Sequence, residues 1–132
     1  MRIDIKLQPD TPLIDLDGLY ETKVNIESYP LSVDGISFDV DSQSIERLDM
    51  ISNIEGEINF REANNNTLTL SGTELQYYIP IIKNKLGVRF VAINEVYNNL
   101  KVSISAGEEL TYANVLSSFE AVTGEVYSLL HN

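Results

Sequence analysis

Cysteine and tryptophan are absent from this 132-residue chain, and its single histidine, His131, stands next to the last residue. Without cysteine, disulfides, thiolate metal sites and a thiol nucleophile are excluded. Because chain ends are usually frayed, we expect no chemical role for His131. Most nucleophile, general-base and zinc chemistries disappear together with these residues. The composition therefore predicts a non-enzymatic protein without a cofactor or a bound metal.

Basic side chains are also scarce, with 9 lysines and arginines against 20 acidic residues and a formal net charge of −11. A field of that sign repels phosphate backbones and anionic membrane surfaces, so we expect neither nucleic acid nor a membrane as a partner. The acidity favours solubility and would steer a basic partner inward, although a well-solvated surface is the simpler explanation.

Long apolar runs are missing too, since no stretch reaches the roughly 18 apolar residues of a membrane-spanning helix. At the start of the chain, the apolar residues Ile3, Ile5 and Leu7 alternate with charged ones. This alternation lacks the continuous apolar centre of a signal peptide, and it predicts a half-buried strand instead. We therefore expect the protein to stay in the compartment where it is made.

Proline and glycine mark the segment that follows. Pro9, Pro12 and Gly18 predict a loop, within which residues 13–16 are expected to form a short strand or an arm. Residues 22–26, with apolar side chains on one face, predict another short strand.

Asp34-Gly35 lies between alternating apolar residues, which is a strong signal for a β-hairpin. It predicts strands over residues 31–33 and 36–39 joined by a two-residue turn. Apolar residues then recur at three-residue spacing, which predicts an amphipathic helix over residues 43–54 that ends near Gly56.

A second pair of strands is predicted over residues 57–60 and around Leu68 and Leu70, joined by a turn at Asn64-Asn65-Asn66. Ser71 and Glu74 have the spacing of a capping box, so a helix is expected to begin there.

The remaining chain is predicted to be mainly helical. Residues 72–100 favour one kinked helix or two helices, because Pro80 removes a hydrogen bond inside the pattern. Residues 102–104 alternate apolar side chains with serine, which predicts a short strand or an extended linker. A last helix is expected over residues 108–130. We therefore divide the chain into an α+β domain, 1–102, and a C-terminal helical extension, 103–132.

These elements predict an α+β fold, in which a small antiparallel sheet with a β-hairpin packs against two to three helices. The predicted core is formed by apolar residues that face inward from these elements: Val33, Ile36, Phe38, Ile45, Leu48, Phe60, Leu68, Leu70, Leu75, Ile79 and Ile82.

Acidic residues near the hairpin do not have the spacing of a calcium loop. A loop of the helix-loop-helix type that starts at Asp39 needs glycine at its sixth position and glutamate at its twelfth. Ser44 and Met50 occupy those positions. Two carboxylates elsewhere are compatible with glycoside hydrolysis by spacing alone, but the chain shows no aromatic sugar platform. A small glycan hydrolase is therefore kept only as an alternative.

Tyrosine is the residue type that points to binding, since the chain has seven and this side chain is favoured at protein interfaces. Ordinary half-buried packing is the alternative for each. Tyr77 and Tyr78 are neighbours on a predicted helix and point about 100° apart, so one faces the core and the other faces outward. We predict Gln76 and Tyr77 as the first partner contacts, with Tyr112 and Tyr127 as further ones.

Residues 28–86 resemble a small domain of bacteriophage tail-fibre assembly proteins. In that family, a hairpin and helix precede an aromatic residue, an acidic or amide turn and a threonine-rich strand that leads into a second helix. Phe60 stands where the family commonly has tryptophan. The matching segments are 33–41, 44–48 and 60–75.

The resemblance implies a non-enzymatic chaperone or adaptor that binds a phage tail-fibre protein in the host cytoplasm during assembly. The alternative that remains open is a structural component of the virion, such as a tail, baseplate or fibre adaptor protein. Homo-oligomerisation stays open as well.

Overall fold

In the computed structural model, which describes residues 12–131, the fold is α+β, as predicted. Two antiparallel two-stranded sheets replace the single small sheet that was expected. The elements follow in the order α1 (Leu16–Glu27), β1 (Leu31–Val33), β2 (Ile36–Phe38), α2 (Ser42–Ile51), β3 (Glu57–Arg61), β4 (Thr67–Ser71), α3 (Gly72–Ser105), α4 (Tyr112–Thr123) and a 3₁₀ turn (Ser128–Leu130).

The chain divides into two compact units. The hairpin unit is the continuous stretch Ser28–Val88. Among the described residues, the helical unit combines residues 12–27 with residues 89–131, so α3 contributes its first half to one unit and its second half to the other. The boundary predicted between residues 102 and 103 lies inside α3 and coincides with neither division.

The β1–β2 hairpin confirms the Asp34-Gly35 turn. Leu31 pairs with Phe38 and Val33 with Ile36. Asp34 and Gly35 have φ angles of 52° and 78°, the left-handed backbone that a tight two-residue hairpin requires. The hairpin is therefore specified by its turn residues.

Helix α2 confirms the helix predicted after the hairpin, although it ends at Ile51, earlier than expected. The hydroxyl group of Ser52 donates to the carbonyl of Asp49 at 2.8 Å and helps to close the last turn. Gly56 takes a left-handed φ of 91° just before β3 instead of ending the helix.

The second hairpin and the start of α3 agree with prediction. Asn65 turns the chain with a φ of 72°. The Ser71 hydroxyl accepts from the Glu74 backbone at 3.1 Å, and the Glu74 carboxylate accepts from the Ser71 backbone at 2.9 Å. This is the predicted capping box.

Helix α3 continues through Pro80 to Ser105, so the strand or linker predicted at residues 102–104 is wrong. Leu100, Ser103 and Ile104 are partly buried. Their spacing of three and four residues is helical, and the short apolar alternation was misleading there.

The core of the hairpin unit contains every residue predicted for it. Buried and partly buried side chains from both hairpins, α2 and the first half of α3 pack in one cluster. The buried members are Leu31, Val33, Phe38, Val40, Leu48, Leu70, Leu75, Ile79, Ile82 and Leu86.

In the helical unit, α1 overturns the predicted loop at Gly18 and the predicted strand over residues 22–26. The Asp15 carboxylate accepts from the Gly18 backbone N–H at 2.7 Å and caps the first turn. Leu19, Thr22 and Ile26 are buried at helical spacing. The strand predicted for residues 2–7 lies outside the described residues.

The expected strand or arm at residues 13–16 is reduced to one isolated bridge between Leu13 and Thr111.

Helix α4 is shorter than the predicted 108–130. A capping box at Thr111 and Asn114 begins it, and Gly124, with a left-handed φ of 73°, ends it. The core here is formed by Leu19, Ile26, Ile93, Val96, Val115, Leu116, Phe119 and Tyr127.

Candidate binding groove

A groove of about 290 Å³ opens in the hairpin unit between α2 and β3. Ser44, Arg47, Leu48 and Ile51 line it from α2, at the spacing that places residues on one helix face. The other lining residues are Asp39, Asn59, Phe60 and Arg61.

The floor of the groove is apolar and joined to the core. Leu48 is buried, and Ile51 and Phe60 pack against the core cluster. The Phe60 ring lies 5.4 Å from the Phe38 ring, centroid to centroid. Because Phe38 is fully buried, this contact fixes the position of Phe60.

Two arginines, Arg47 and Arg61, line the groove together with these apolar residues. The side chains of Arg47 and Arg61 are exposed, and neither forms a hydrogen bond or an ion pair with any residue in the range 12–131. Asp39 carries the single negative charge of the lining. The lining therefore carries two positive charges and one negative charge, on a chain whose net charge is −11.

The backbone of β3 adds hydrogen-bonding capacity along this groove. The Glu62 N–H donates to the Asn66 carbonyl at 2.8 Å, and the same register continues through β3 and β4. Hydrogen-bonded and non-hydrogen-bonded pairs alternate in an antiparallel ladder. Because Glu62 belongs to a hydrogen-bonded pair, the backbone groups of Phe60, two residues earlier, also point toward β4. The backbone groups of Asn59 and Arg61 then point away from β4.

Hydrogen bonds to Ser37 of β2 cover this outer edge only after Arg61, the last residue of β3. The Ala63 N–H donates to the Ser37 carbonyl at 3.0 Å, and the Glu62 carboxylate accepts from the Ser37 N–H at 2.8 Å. Within the described part of the chain, no such bond covers the outward groups of Asn59 and Arg61.

The lining of the groove contains few groups for acid–base or metal chemistry. A single lining carboxylate, Asp39, does not supply the pair that general acid–base hydrolysis of a glycoside requires. Among residues 12–131, no three histidine, aspartate or glutamate side chains come together to hold a metal ion. No helix of this part of the chain is both long and apolar enough to cross a membrane.

Gln76 and Tyr77, two of the predicted partner contacts, lie at the start of α3. Tyr77 is 60% exposed, and its ring packs edge-on against Tyr78 at 5.2 Å. Tyr78 in turn contacts Phe38, so the two neighbours face outward and inward as predicted. The Gln76 side chain donates to the Ser52 carbonyl at 2.8 Å and holds the end of α2. Their role in binding stays a prediction.

The other two predicted contacts lie in the helical unit. Tyr112 is partly buried, and burial, together with the Glu21 carboxylate, raises the pKa of its hydroxyl. Tyr127 is fully buried, which holds its pKa far above the ordinary value. Its selection as a surface contact is therefore wrong. Gln76 and Tyr77 thus belong to the hairpin unit, and Tyr112 and Tyr127 belong to the helical unit.

Tyr127 belongs to a buried polar cluster that the sequence did not indicate. Arg89 forms two parallel hydrogen bonds with the Glu125 carboxylate, Nε to Oε1 at 2.8 Å and Nη2 to Oε2 at 2.9 Å. The Tyr127 hydroxyl lies 3.0 Å from Glu125 Oε1 and 2.9 Å from Thr123 Oγ1. The Arg89 Nη1 atom also lies 3.5 Å from the Ile26 carbonyl. The cluster links three separate segments of the helical unit.

Sequence reasoning also missed Arg47 and Arg61. The sequence feature that could have indicated them is the scarcity of basic residues, which number 9 in the whole chain. Their approach to one groove depends on how α2 packs beside β3, which spacing along the chain does not reveal.

Comparison with known proteins adds no information about function, so the proposal below depends on the residues of this chain. No protein-family model, curated protein or solved structure matches this chain.

Proposed function

We propose that this protein is a non-enzymatic assembly chaperone or adaptor that binds a phage tail-fibre protein. One observation carries the proposal: the stretch that resembles the tail-fibre assembly domain, residues 28–86, coincides with the compact hairpin unit, Ser28–Val88. Because a domain is expected to pack as one compact unit, this coincidence supports the resemblance.

The parts of that stretch have defined structural roles. Asp34-Gly35 forms the first turn, and Ser71 and Glu74 cap α3. Phe60, at the family's aromatic position, packs on Phe38 and lines the groove. The resembling residues thus support both the unit and its candidate binding surface.

Co-expression with the neighbouring tail-fibre gene tests the proposal. We expect the fibre protein to give more soluble trimer with this protein than without it, and the two to co-purify. Equal yields of folded fibre, together with no co-purification, would contradict the proposal. Replacing Phe60 and Tyr77 by alanine in separate variants compares the groove with the start of α3 as fibre contacts, and Val91→Ala, at an exposed position, serves as the control.

The main alternative is a structural component of the virion. The helical unit favours it, because residues outside the resemblance form a second compact unit that offers further surface for docking. Mass spectrometry of purified particles separates the alternatives. A chaperone that acts in the host cytoplasm is absent or substoichiometric, whereas a tail or baseplate component has a fixed copy number.

A small glycan hydrolase is the second alternative. It predicts hydrolysis of host surface glycans and loss of that activity when one carboxylate is replaced while the fold is kept. An absence of turnover with those glycans supports the binding function.

A further inference from the structure

We propose that the groove between α2 and β3 binds an extended peptide segment of a partner protein in which acidic and apolar side chains alternate. The segment pairs with the outer edge of β3 and places its carboxylates against Arg47 and Arg61. This inference rests on the proposed protein-binding function, and it adds the chemistry and conformation of the segment that is bound.

The backbone geometry selects an extended occupant. Asn59 and Arg61 direct N–H and C=O groups away from β4, and the groove is lined by residues of β3 but by none of β4. An extended chain satisfies alternate groups of a strand edge, which is how peptides add to exposed sheet edges. The bond between Ala63 and Ser37 limits the pairing to the Asn59–Arg61 stretch.

The charges select acidic side chains. Arg47 and Arg61 are both exposed, and neither is paired with a residue in the range 12–131. A guanidinium group binds a carboxylate through two parallel hydrogen bonds, which gives direction as well as charge neutralisation. A basic segment would instead meet only Asp39 among the lining charges.

The apolar floor of the groove favours an apolar residue next to each acidic residue of the bound segment. Leu48, Ile51 and Phe60 form an apolar surface that is continuous with the core. Successive side chains of a strand point to opposite faces. A residue that faces this floor is therefore followed by one that faces away from it. Phe60 and Arg61 of β3 alternate in the same way, with the first partly buried and the second exposed.

The test measures binding of two fluorescein-labelled synthetic peptides to the full chain by fluorescence anisotropy. One has the sequence Gly-Asp-Leu-Asp-Leu-Asp-Gly, and in the other lysine replaces aspartate. We expect saturable binding of the acidic peptide only, weakened by salt. Equal binding of both peptides, or binding of neither, overturns the inference.

Charge variants locate the site. The double variant Arg47→Gln/Arg61→Gln is expected to weaken binding of the acidic peptide at least about tenfold. Lys85→Gln/Lys101→Gln removes the same charge from exposed positions outside the groove lining, and it should change binding less than about twofold. Equal losses in the two double variants would indicate only general attraction and would contradict the groove.

Backbone variants test the strand pairing. Asn59→Pro removes an outward N–H without taking a hydrogen bond from the β3–β4 ladder, and it should weaken binding about tenfold, whereas Asn59→Ala should leave it nearly unchanged. Methylating the peptide nitrogens makes the same test on the ligand, independently of how the variant folds. The aspartate nitrogens face β3 in an antiparallel pairing and the leucine nitrogens face it in a parallel one, so one peptide of each kind is used. Unchanged affinity in both tests overturns the pairing.

The outcomes separate this inference from the proposed function. If the fibre protein co-purifies equally well with the Arg47→Gln/Arg61→Gln variant, the groove inference fails and the chaperone function stands. If the acidic peptide binds as described but no fibre protein co-purifies, the inference about the groove is supported and the tail-fibre function is contradicted. The partner is then a different protein.

Discussion

The hairpin unit and the helical unit have different kinds of interior. The core cluster of the hairpin unit consists of aliphatic and aromatic side chains, with Phe38, Leu75 and Ile82 fully buried. The helical unit buries apolar residues as well, but it also encloses the guanidinium group of Arg89, whose side chain is 1% exposed. The hairpin unit has an apolar core, and the helical unit combines an apolar core with a charged, hydrogen-bonded cluster.

The two interiors also differ in how far apart their parts lie in the sequence. The hairpin unit is a continuous stretch of chain. In the helical unit, the Arg89 side chain reaches Glu125, 36 residues later, and the Ile26 carbonyl, 63 residues earlier. Because a buried charge is costly without its partners, the helical unit requires these distant segments to be in place together.

The largest expected effect is in the charged cluster. Glu125→Gln removes the charge partner of a guanidinium that has almost no access to water, and we expect a loss of about 3–5 kcal/mol in the free energy of unfolding. Arg89→Met should cost less, because the Glu125 side chain that remains is 28% exposed and can be hydrated. Urea unfolding of the two variants measures this asymmetry.

Hydrogen exchange assigns the loss to a unit. Protection should fall first in α1, α4 and residues 89–105, with residues 28–88 affected less. A uniform loss across both units, or equal costs for Glu125→Gln and Arg89→Met, would contradict an interior that depends on the ion pair.

The same contrast explains which parts of the fold the sequence could predict. The hairpin unit is specified by local signals: the Asp34-Gly35 turn, the apolar spacing of α2 and the capping box at Ser71. Helix α1 was mistaken for loop and strand, because Gly18 suggested a turn while the decisive contact was the Asp15 cap. The hydrogen bond between the Ile26 carbonyl and Arg89 joins residues that are 63 positions apart in the sequence.

The candidate groove was less predictable than the fold. Tyrosine enrichment correctly placed Tyr77 on the surface but also selected Tyr127, which the helical unit buries. Residue type indicates that a tyrosine suits an interface, whereas exposure is decided by tertiary packing. Likewise, Arg47 and Arg61 become candidate binding residues only because two elements bring them to one groove, where neither forms an ion pair with a residue in the range 12–131.

The next effect compares two glycines of α3 within the hairpin unit. A Cβ atom on Gly72 would lie 2.5 Å from the Ile54 carbonyl oxygen and 2.7 Å from that of Ser52. Gly72→Ala should therefore cost about 1–3 kcal/mol, because backbone must move. Gly87 has no neighbouring atom within 4 Å of such a Cβ, so Gly87→Ala should stabilise by about 0.5–1 kcal/mol. Thermal unfolding that shows the same sign for both would contradict the close approach at Gly72.

A smaller effect compares the capping boxes of the two units. Ser71→Ala removes the cap of α3, and Thr111→Ala removes the cap of α4. Each should cost about 1 kcal/mol in urea unfolding. Hydrogen exchange should show the loss near residue 72 in the first variant and near residue 112 in the second. Conservative replacement, Ser71→Thr and Thr111→Ser, should restore most of the stability, and failure to do so would exclude the hydroxyl as the cause.

The smallest effect is a pH dependence that belongs to the helical unit. The Glu120 carboxylate accepts from the Tyr127 backbone at 2.9 Å and lies 2.7 Å from the Nε2 atom of His131. Partial burial acts to raise the pKa of Glu120, but these two hydrogen bonds outweigh it and hold the pKa below the ordinary value. The charged carboxylate thus fastens the segment after α4.

A carboxyl group whose pKa is lowered by folding stabilises the native state when it is ionised. The contribution of Glu120 should be complete above the ordinary glutamate range, near pH 4.3, and should disappear as the pH falls through the lower folded value. We therefore expect Glu120→Gln to cost about 0.5 kcal/mol at pH 7 and nothing at the acid end. Glu109, whose side chain is exposed and has no hydrogen bond with another residue in the range 12–131, provides the control variant Glu109→Gln. If unfolding measured from pH 7 to about pH 3 shows a constant difference between wild type and Glu120→Gln, the stabilising group is not the ionised carboxylate.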